Sequence, residues 1–496
     1  MRRYLKTKYI LGLVLVLFLS ACAEDLGNYD YSEINEVTIN GIESEYEALT
    51  GEPFKITTEL QFTLDSDVDD QNYEYKWSAI NPSLVPADQE EFLLGDTKNL
   101  DVTSLKLTPG EYSGYFRVTD KETGVYWVKK FKITVKTTIY EGWLAMSDVN
   151  GAARLDMLSY IDNQYKFIPD VLDYVGSELT LKGAPENVYC FPYDAQKYGI
   201  YLTSSETGTT KIDPDTFGWA LEDYLSFEML SNVPTDFKAD FIEEVGSWSS
   251  LMHSDGNFYY WFRIYRWNYD LPINIVNGET QYFEAAPFLG AADGYGSDVL
   301  YDNTNKRFVR HPYNTKECYE MADGSYFSYH TGNKELVYMK RTDYNGGEVF
   351  ALLKDPDNND LFLARMASRR WNSVISQVGY DQIPAEIAAD MVNADNYAID
   401  PTFGYIFYNV GSKLYQYDLG LKTSKLMLDK GANDISLVTY IKRSPVSKKL
   451  IVASYDAGAA NGTMEIYSVP AVNGDLTLEQ SYEGFGKIVS LSYRQR

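Results

Sequence analysis

The run Tyr397-Ala398-Ile399-Asp400-Pro401 opens the clearest repeat of short β-strands in this sequence. It leads into Tyr405-Ile406-Phe407-Tyr408, turns at Gly411-Ser412, and continues as Lys413-Leu414-Tyr415-Gln416-Tyr417-Asp418 and Lys425-Leu426-Met427-Leu428. Runs of aromatic and branched residues, separated by turns that contain Gly, Asp and Ser, predict strands joined by hairpins. Four such strands at meander spacing are typical of one blade of a β-propeller.

Strands of the same kind are predicted over residues 142–158, 187–203, 438–469 and 488–493. We therefore predict an all-β chain in which residues 138–496 form a β-propeller. At about 45 to 50 residues per blade this length fits seven or eight blades, and the long insertions favour about seven. One helix is expected around Pro384, because Ile383, Ile387 and Met391 repeat at a spacing of four residues.

Residues 35–137 show a different rhythm, with a turn about every ten residues. Alternating strands are predicted over 37–39, 54–60, 73–77, 105–107, 112–119 and 125–135, which indicates a β-sandwich of about a hundred residues. Trp77 lies where the third strand of an immunoglobulin-like domain buries a tryptophan, and Tyr112 after Pro109-Gly110 fits a tyrosine corner. Neither landmark recurs, which disfavours a tandem of sandwiches, and a repeat of about twenty residues typical of a β-helix is missing.

The N-terminus predicts a lipoprotein signal peptide over residues 1–21. Four basic residues precede an apolar segment over 10–19, and Leu19-Ser20-Ala21-Cys22 forms a bacterial lipobox. Cys22 is the expected lipidation site, and residues 22–34 the tether that follows it. Glu24 and Asp25 resemble the surface-export signal of Bacteroides-type lipoproteins. These residues predict a protein anchored in the outer membrane by acyl chains such as palmitate, facing the cell exterior.

The charge excludes nucleic acid as a partner. The chain has 44 basic and 71 acidic residues, and loss of the four basic residues in 1–21 leaves 40 against 71, a net charge of −31. A chain of this charge repels polyanions. Beyond residue 22, no segment is long and apolar enough for a transmembrane helix.

The residue types needed for catalysis or metal binding are sparse, so we expect no enzyme, no cofactor and no metal. His253, His311 and His330 are far apart in sequence and have no metal-ligand spacing. Whether Cys190 and Cys318 pair stays open. The Asp65–Asp70 segment is better explained as a solvated loop than as a calcium site, and Asp355–Asp360 as a hairpin turn, because it lacks the Gly and Glu of an EF-hand.

The densest aromatic run covers residues 258–269. If it is one strand, alternation places five candidate ligand-binding residues on one face: Trp261, Arg263, Tyr265, Trp267 and Tyr269. Aromatic rings stack on sugars or peptide side chains, and an arginine can bind a carboxylate or hydroxyl. Trp267 and Tyr269, nearest the following loop, are expected to be the most exposed. Packing between blades is the alternative role for this face.

Together, the lipobox with its acidic follower, the landmarks Trp77 and Tyr112, and the Tyr-rich repeats resemble the PKD-like family lipoproteins of Bacteroides-type bacteria. The resemblance implies a non-catalytic surface lipoprotein that is accessory to a SusC/SusD-type, TonB-dependent uptake system. Its implied partners are that transporter complex and an oligosaccharide or peptide ligand. Two alternatives stay open, namely an extracellular glycan hydrolase or lyase built on the propeller, and a structural or adhesive surface protein.

Overall fold

The computed structural model describes residues 35–64, 71–82, 91–161, 163–191 and 199–495. The chain forms two compact units, one ending at Lys136 and the other starting at Thr137. Four predicted features lie outside the described residues: the lipobox, the acidic pair Glu24 and Asp25, the tether and the Asp65–Asp70 loop.

The first unit is a β-sandwich. Its described strands are β1 (Val37–Asn40), β2 (Glu45–Leu49), β3 (Phe54–Ile56), β4 (Glu59–Phe62), β5 (Tyr73–Ile80), β6 (Glu91–Gly95), β7 (Leu100–Val102), β8 (Gly110–Asp120) and β9 (Tyr126–Lys136). Five of them form one sheet in the order β2-β9-β8-β5-β6, in which β2 runs parallel to β9. The pairs β1-β4 and β3-β7 contribute the other strands, and one apolar core lies between the layers.

Both predicted landmarks of the sandwich are confirmed. Trp77 is fully buried, its ring stacks on Phe116 with centroids 4.1 Å apart, and its indole Nε1 donates to the carbonyl of Thr97 at 2.8 Å. The Tyr112 hydroxyl donates to the carbonyl of Thr108 at 3.0 Å, which is the bond that defines a tyrosine corner. A buried indole whose N–H has a partner adds apolar area to the core without a desolvation penalty.

Two strand predictions in this unit were wrong. The strand expected over 54–60 is two strands, β3 and β4, which pair with different partners. The segment 105–107 buries Leu105 and Leu107 but is not a strand. Its backbone bonds instead go to a loop, since Leu105 N–H donates to Glu52 and the Leu107 carbonyl accepts from the Thr50 hydroxyl.

The described strands of the second unit form seven antiparallel sheets, which we number as blades 1 to 7. Blade 1 contains β10 (Gly142–Val149), β11 (Ala152–Ile161), β12 (Gln164–Ile168) and β33 (Lys487–Arg494). Blade 2 contains β13 (Pro185–Cys190), β14 (Ile200–Ser204) and β15 (Gly208–Ile212). Blade 3 contains β16 (Phe241–Val245), β17 (Ser249–Ser254) and β18 (Asn257–Phe262). Blade 4 contains β19 (Ser297–Asp302) and β20 (Arg307–Pro312). Blade 5 contains β21 (Glu335–Thr342), β22 (Glu348–Lys354), β23 (Leu361–Ala367) and β24 (Ser376–Gln382). Blade 6 contains β25 (Asn396–Ile399), β26 (Ile406–Val410), β27 (Lys413–Asp418) and β28 (Thr423–Asp429). Blade 7 contains β29 (Asp434–Thr439), β30 (Leu450–Asp456), β31 (Asn461–Ser468) and β32 (Thr477–Phe485).

Apolar packing joins these blades into a ring. Each pair of neighbouring blades shares a cluster of buried side chains, beginning with Leu144 of blade 1 against Val188 of blade 2. The last cluster packs Ile451 of blade 7 against Trp143 and Ile488 of blade 1. The described part of the second unit is therefore a β-propeller of seven blades, as the sequence predicted.

The ring closes through strands from both ends of the second unit. In blade 1 the C-terminal strand β33 pairs with β10, which places Arg494 opposite Gly142 and Tyr493 opposite Trp143. The Trp143 and Tyr493 rings meet edge to face at 4.9 Å, and the Tyr493 hydroxyl donates to Glu141 at 2.6 Å. The backbone hydrogen bonds of one blade thus depend on residues about 350 positions apart in the chain.

Helices are few among the described residues. The predicted apolar stripe is confirmed in α2 (Ala385–Met391), which starts after Pro384 and buries Ile387 and Met391. The sequence did not predict α1 (Val171–Val175), a single turn capped by Asp170 and ended by Gly176. Within the described ranges, no helix has the length and apolar character needed to cross a membrane.

We predict that the second unit folds without the first. A chain starting at Thr137 should be soluble and melt in one cooperative transition, because the clusters between its blades all lie within residues 137–496. The same fragment without β33 should lose this transition, since the edge of β10 and the partners of Trp143 would be exposed. Circular dichroism melts of both fragments check this. Aggregation of the longer fragment, with the full chain soluble, would contradict it.

Candidate functional site

The aromatic run 258–269 is not one strand. β18 ends at Phe262, and the chain reverses over the next four residues, where Arg266 adopts a left-handed conformation with φ of 54°. Trp267 therefore returns opposite Phe262, and their backbones exchange two N–H to carbonyl bonds of 2.9 Å. The predicted alternation of side chains ends at this hairpin, so the five candidate residues do not share a face.

Two of the five candidates are packed inside. Trp261 is half-buried and meets the ring of Phe191 edge to face at 5.8 Å. Tyr269 is 1% exposed, and its hydroxyl lies 2.8 Å from that of Ser250. The expected exposure of Tyr269 was wrong, because its backbone pairs with Met229 and Leu230, which places it in the cluster between blades 2 and 3.

The other three candidates stay near the surface. Tyr265 is 53% exposed, and its ring centroid lies 5.3 Å from that of Trp267. The Lys316 ammonium lies 4.9 Å from the Trp267 centroid, a cation–π contact. Arg263 is half-buried, and its backbone N–H donates to the carbonyl of Trp248 at 3.1 Å.

Tyr265 and Trp267 belong to a longer row of aromatic rings. Phe262 lies 5.2 Å from Tyr265 and 5.1 Å from Tyr313 between ring centroids. Tyr295 lies 4.9 Å from Tyr313 and 5.1 Å from Trp371. We call the six rings the aromatic ladder: Trp267, Tyr265, Phe262, Tyr313, Tyr295 and Trp371. The guanidinium of Arg370 lies 4.9 Å from the Trp371 centroid, so each end of the ladder carries a cation–π contact.

The ladder is built by loops of blades 3, 4 and 5 that come together at one end of these blades. Two glycines allow the loops to approach closely. Gly294 has φ of 63°, and a Cβ there would lie 2.6 Å from the carbonyl oxygen of Arg370. Gly246 has φ of 58°, and its Cβ would lie 2.7 Å from the carbonyl oxygen of Gly294. Any other residue at these two positions would push the blade 4 loop away from its neighbours.

Tyr313 fixes the centre of the ladder. Its hydroxyl donates to the carbonyl of Ser247 at 2.9 Å, and burial raises the pKa of Tyr313 to about 12. The phenol is therefore neutral at physiological pH and holds this hydrogen bond. The outer rings are open, since Tyr295 is 46% and Trp371 is 64% exposed. Ring surface on a fixed base is available to a ligand without a large ordering cost.

The sequence contains a signal for the far end of the ladder that residue alternation could not reveal. The tripeptide Arg266-Trp267-Asn268 recurs as Arg370-Trp371-Asn372. Each copy begins a few residues after the third strand of its blade, β18 in blade 3 and β23 in blade 5. A comparison of blades, rather than a count of aromatic residues, would have identified Trp371.

The centre of the propeller is crossed by ion pairs. Lys340 of β21 lies 2.7 Å from Glu243 of β16, and Arg443, in the loop after β29, contacts Glu244 of β16. Blade 3 is not a neighbour of blade 5 or blade 7, so both contacts pass across the interior of the ring. Each carboxylate of this Glu-Glu pair is therefore neutralised by a cation from another blade.

His253, His311 and the two cysteines Cys190 and Cys318 are buried and serve structure. Both ring nitrogens of His253 are bonded, to Asp240 at 2.7 Å and the Ala285 carbonyl at 3.2 Å, and His311 likewise contacts Asp298 and Thr315. The described chain has no disulfide between Cys190 and Cys318, which are buried in different clusters. Burial raises the pKa of the Cys190 thiol to about 11.

Acidic loops show no metal geometry within the described ranges. No group of three or more His, Cys, Asp or Glu side chains there could hold a metal ion. The Asp355–Asp360 segment is a hairpin turn between β22 and β23, as predicted, with Asp355 N–H donating to the Asp360 carbonyl at 2.8 Å.

Comparison with known proteins supports the assignment of the first unit. A model of the PKD-like family matches residues 22–185. The first unit is a PKD-like domain. The match extends beyond this PKD-like domain through α1 to Pro185, the first residue of blade 2. No curated protein matches the sequence.

Solved structures with similar architecture are distant. A quinonprotein alcohol dehydrogenase-like protein from Bacteroides thetaiotaomicron VPI-5482 has a TM-score of 0.39 and 11% identity, and the alignment covers 88% of this chain and 96% of that one. A DUF4784 family protein from Bacteroides caccae has a TM-score of 0.30 and 8% identity, and the alignment covers 80% of this chain and 96% of that one. YCF48 from Cyanidioschyzon merolae has a TM-score of 0.35 and 10% identity, and the alignment covers 63% of this chain and 96% of that one. The propeller assignment rests on the seven packed blades of the chain itself.

We predict opposite stability effects for two tyrosines of the hairpin. Tyr269→Ala should lower the free energy of unfolding by about 3 kcal/mol or more, because it removes a buried ring and the partner of Ser250. Tyr265→Ala should change it by less than about 0.5 kcal/mol, since the ring is largely exposed. Urea unfolding of the two variants measures the difference, and equal losses would mean that Tyr265 is a packing residue.

Proposed function

We propose that this protein is a non-catalytic, lipid-anchored protein on the outer face of the outer membrane. In this role it is accessory to a SusC/SusD-type uptake system and captures an oligomeric nutrient, a glycan or a peptide. The observation that carries the proposal is the aromatic ladder, a row of rings at one end of three adjacent blades. Tyr265, Tyr295 and Trp371 are exposed, whereas Phe262 in the middle of the row is buried. Tyr295 and Trp371 are neighbouring exposed rings with centroids 5.1 Å apart, and adjacent exposed rings are less common on protein surfaces than isolated apolar side chains, which supports a binding role.

The geometry of the ladder suits an extended ligand. Neighbouring rings are 4.9 to 5.3 Å apart between centroids. The exposed rings lie toward the two ends, Tyr265 on one side of the buried Phe262 and Tyr295 with Trp371 on the other, so a chain-like molecule can contact both ends at once. Each stacking contact is weak, and simultaneous contacts raise the overall affinity. The rigid propeller holds the loops in place, as is common for binding loops on a scaffold.

The salt bridges of Glu243 and Glu244, inside the ring of blades, favour a binding function over a hydrolytic one. A glycosidase needs one carboxylic acid with a raised pKa and a second, ionised carboxylate. Glu243 and Glu244 instead lie against Lys340 and Arg443. Each carboxylate would have to leave its salt-bridge partner before it could contact a substrate. The paired carboxylates thus support a carrier or capture role.

We predict that Cys22→Ala releases the protein from the membrane. The proposed anchor is the set of acyl chains on Cys22, whose burial contributes about 0.8 kcal/mol per methylene group. The acidic net charge of the chain, −27, offers no electrostatic attraction to anionic lipids. Membrane fractionation after a salt wash measures the effect, with Cys190→Ala as the matched control that keeps the anchor.

Glu24→Ala combined with Asp25→Ala provides the second arm of this experiment. The double variant should remain lipidated but become less accessible to external protease, if the pair directs export to the surface. Mutant protein that still pellets with the outer membrane in the Cys22→Ala strain would contradict the anchor. Unchanged protease accessibility of the acidic-pair variant would contradict its export role.

We predict that the ladder retains soluble polymer. Purified protein on beads should bind at least one member of a panel of dextran, polygalacturonate, dextran sulfate and a casein digest. Tyr265→Ala with Trp371→Ala should lower retention by about tenfold, which corresponds to about 1.4 kcal/mol. Tyr174→Ala is the matched control, because Tyr174 in α1 is equally exposed, at 52%, but lies outside the ladder.

Affinity purification from outer membranes tests the accessory role. The tagged protein should carry a TonB-dependent transporter with it. Recovery of the transporter without retention of any polymer would favour the structural or adhesive alternative. Cleavage of a polymer in the panel by the purified protein would favour the hydrolase or lyase alternative.

A further inference from the structure

The loops at the two ends of the aromatic ladder differ in charge from the rest of the chain. Residues 261–269 and 367–375, which we call the basic loops, contain Arg263, Arg266, Arg369 and Arg370 and no acidic residue. The whole chain has 71 acidic against 44 basic residues. The composition of these two loops, with four arginines and no acidic residue, is therefore opposite to that of the whole chain, and the loops carry the rings at both ends of the proposed capture site.

Further cations approach the same surface from other loops. Lys316 lies over Trp267, and Lys442 lies 3.7 Å from Asp293, which also contacts Arg370 at 3.8 Å. Asp293 thus lies between two cations rather than opposing one. Asp270 lines a small cavity of about 140 Å³ beside Lys316. With Asp293 and Asp270 counted, the charged side chains named around the ladder still have a positive balance.

Both cation–π contacts leave donors available for a ligand. Lys316 and Arg370 are exposed and lie over indole rings at 4.9 Å, so their charges are held beside the rings rather than spread through solvent. Arginine binds carboxylate and sulfate groups through paired N–H donors. Screening at physiological ionic strength limits repulsion by distant acids to about 8 Å, so the local positive charge decides which ligand approaches.

We infer that the ladder with its basic loops binds an anionic oligosaccharide, whose sugar rings stack on the aromatic residues and whose uronate or sulfate groups bind the arginines. This inference rests on the proposed capture function and specifies its ligand. A glycan is favoured over an acidic peptide because the contact surface consists of ring faces from loops. Peptides are commonly bound at a strand edge or in a groove, and the rings of the ladder come from loops and from the end of β18.

The decisive experiment compares polymers that differ only in charge. Binding of polygalacturonate and of its fully methyl-esterified form to the Cys22→Ala chain is measured by calorimetry, in parallel with dextran sulfate and dextran. At least one charged polymer should bind at least tenfold more tightly than its neutral partner. Arg266→Gln with Arg370→Gln should weaken the charged polymer about tenfold and change the neutral one less than twofold.

The matched control is Lys106→Gln with Lys129→Gln, two exposed lysines of the PKD-like domain, which gives the same change in net charge. This control should leave both affinities unchanged. Equal binding of charged and neutral partners would overturn the inference and leave the capture function standing. Tighter binding of poly-glutamate than of either charged glycan would overturn it in favour of an acidic peptide. Absence of binding to any probe would overturn it as well, whereas the anchor and transporter experiments test the proposed function separately.

Discussion

Apolar packing between neighbouring blades is the constraint on which the second unit depends. A blade of two to four short strands cannot bury both of its faces alone, so each face is covered by the next blade around the ring. Seven clusters of buried side chains meet this need, and the last of them requires β33 to return to β10. The geometry of any single blade, and of the loops it carries, is therefore secured only when the chain has closed the ring.

The aromatic ladder is a consequence of that closure. Its rings come from blades 3, 4 and 5, and the ring-to-ring distances exist only because the blades are held side by side. The backbone contributes as well, because Gly246 and Gly294 permit approaches that a side chain would block. A binding surface assembled from three blades is thus as rigid as the packing beneath it, although each of its parts is a loop.

The sequence predicted the fold well because the signals involved are local. Strand alternation, turn residues and the landmarks Trp77 and Tyr112 each occupy a short window. Both landmarks and four of the six predicted strands were confirmed in the PKD-like domain, whereas the strands expected over 54–60 and 105–107 were wrong. The site was predicted in part. Tyr265 and Trp267 lie at the surface, but Tyr269 is buried, because a single left-handed residue, Arg266, turns the chain where alternation assumed a continuous strand. Trp371 was missed because its proximity to Tyr295 depends on blade packing, which no window of sequence contains.

The ion pairs at the centre of the ring explain why a binding site would lie on the loops rather than on the axis. Lys340 with Glu243 and Arg443 with Glu244 connect blades that are not neighbours, so breaking either pair would leave a charge without its partner inside the ring. The side chains of Lys340 and Arg443 are nearly half exposed and those of Glu243 and Glu244 about one quarter exposed, so the cost is that of breaking a partly solvated ion pair. A ligand that entered the axis would have to replace these contacts, whereas a ligand on the ladder displaces only water from exposed rings. The same acidic chain therefore stabilises its centre with paired charges and keeps its exposed rings at the end of blades 3 to 5.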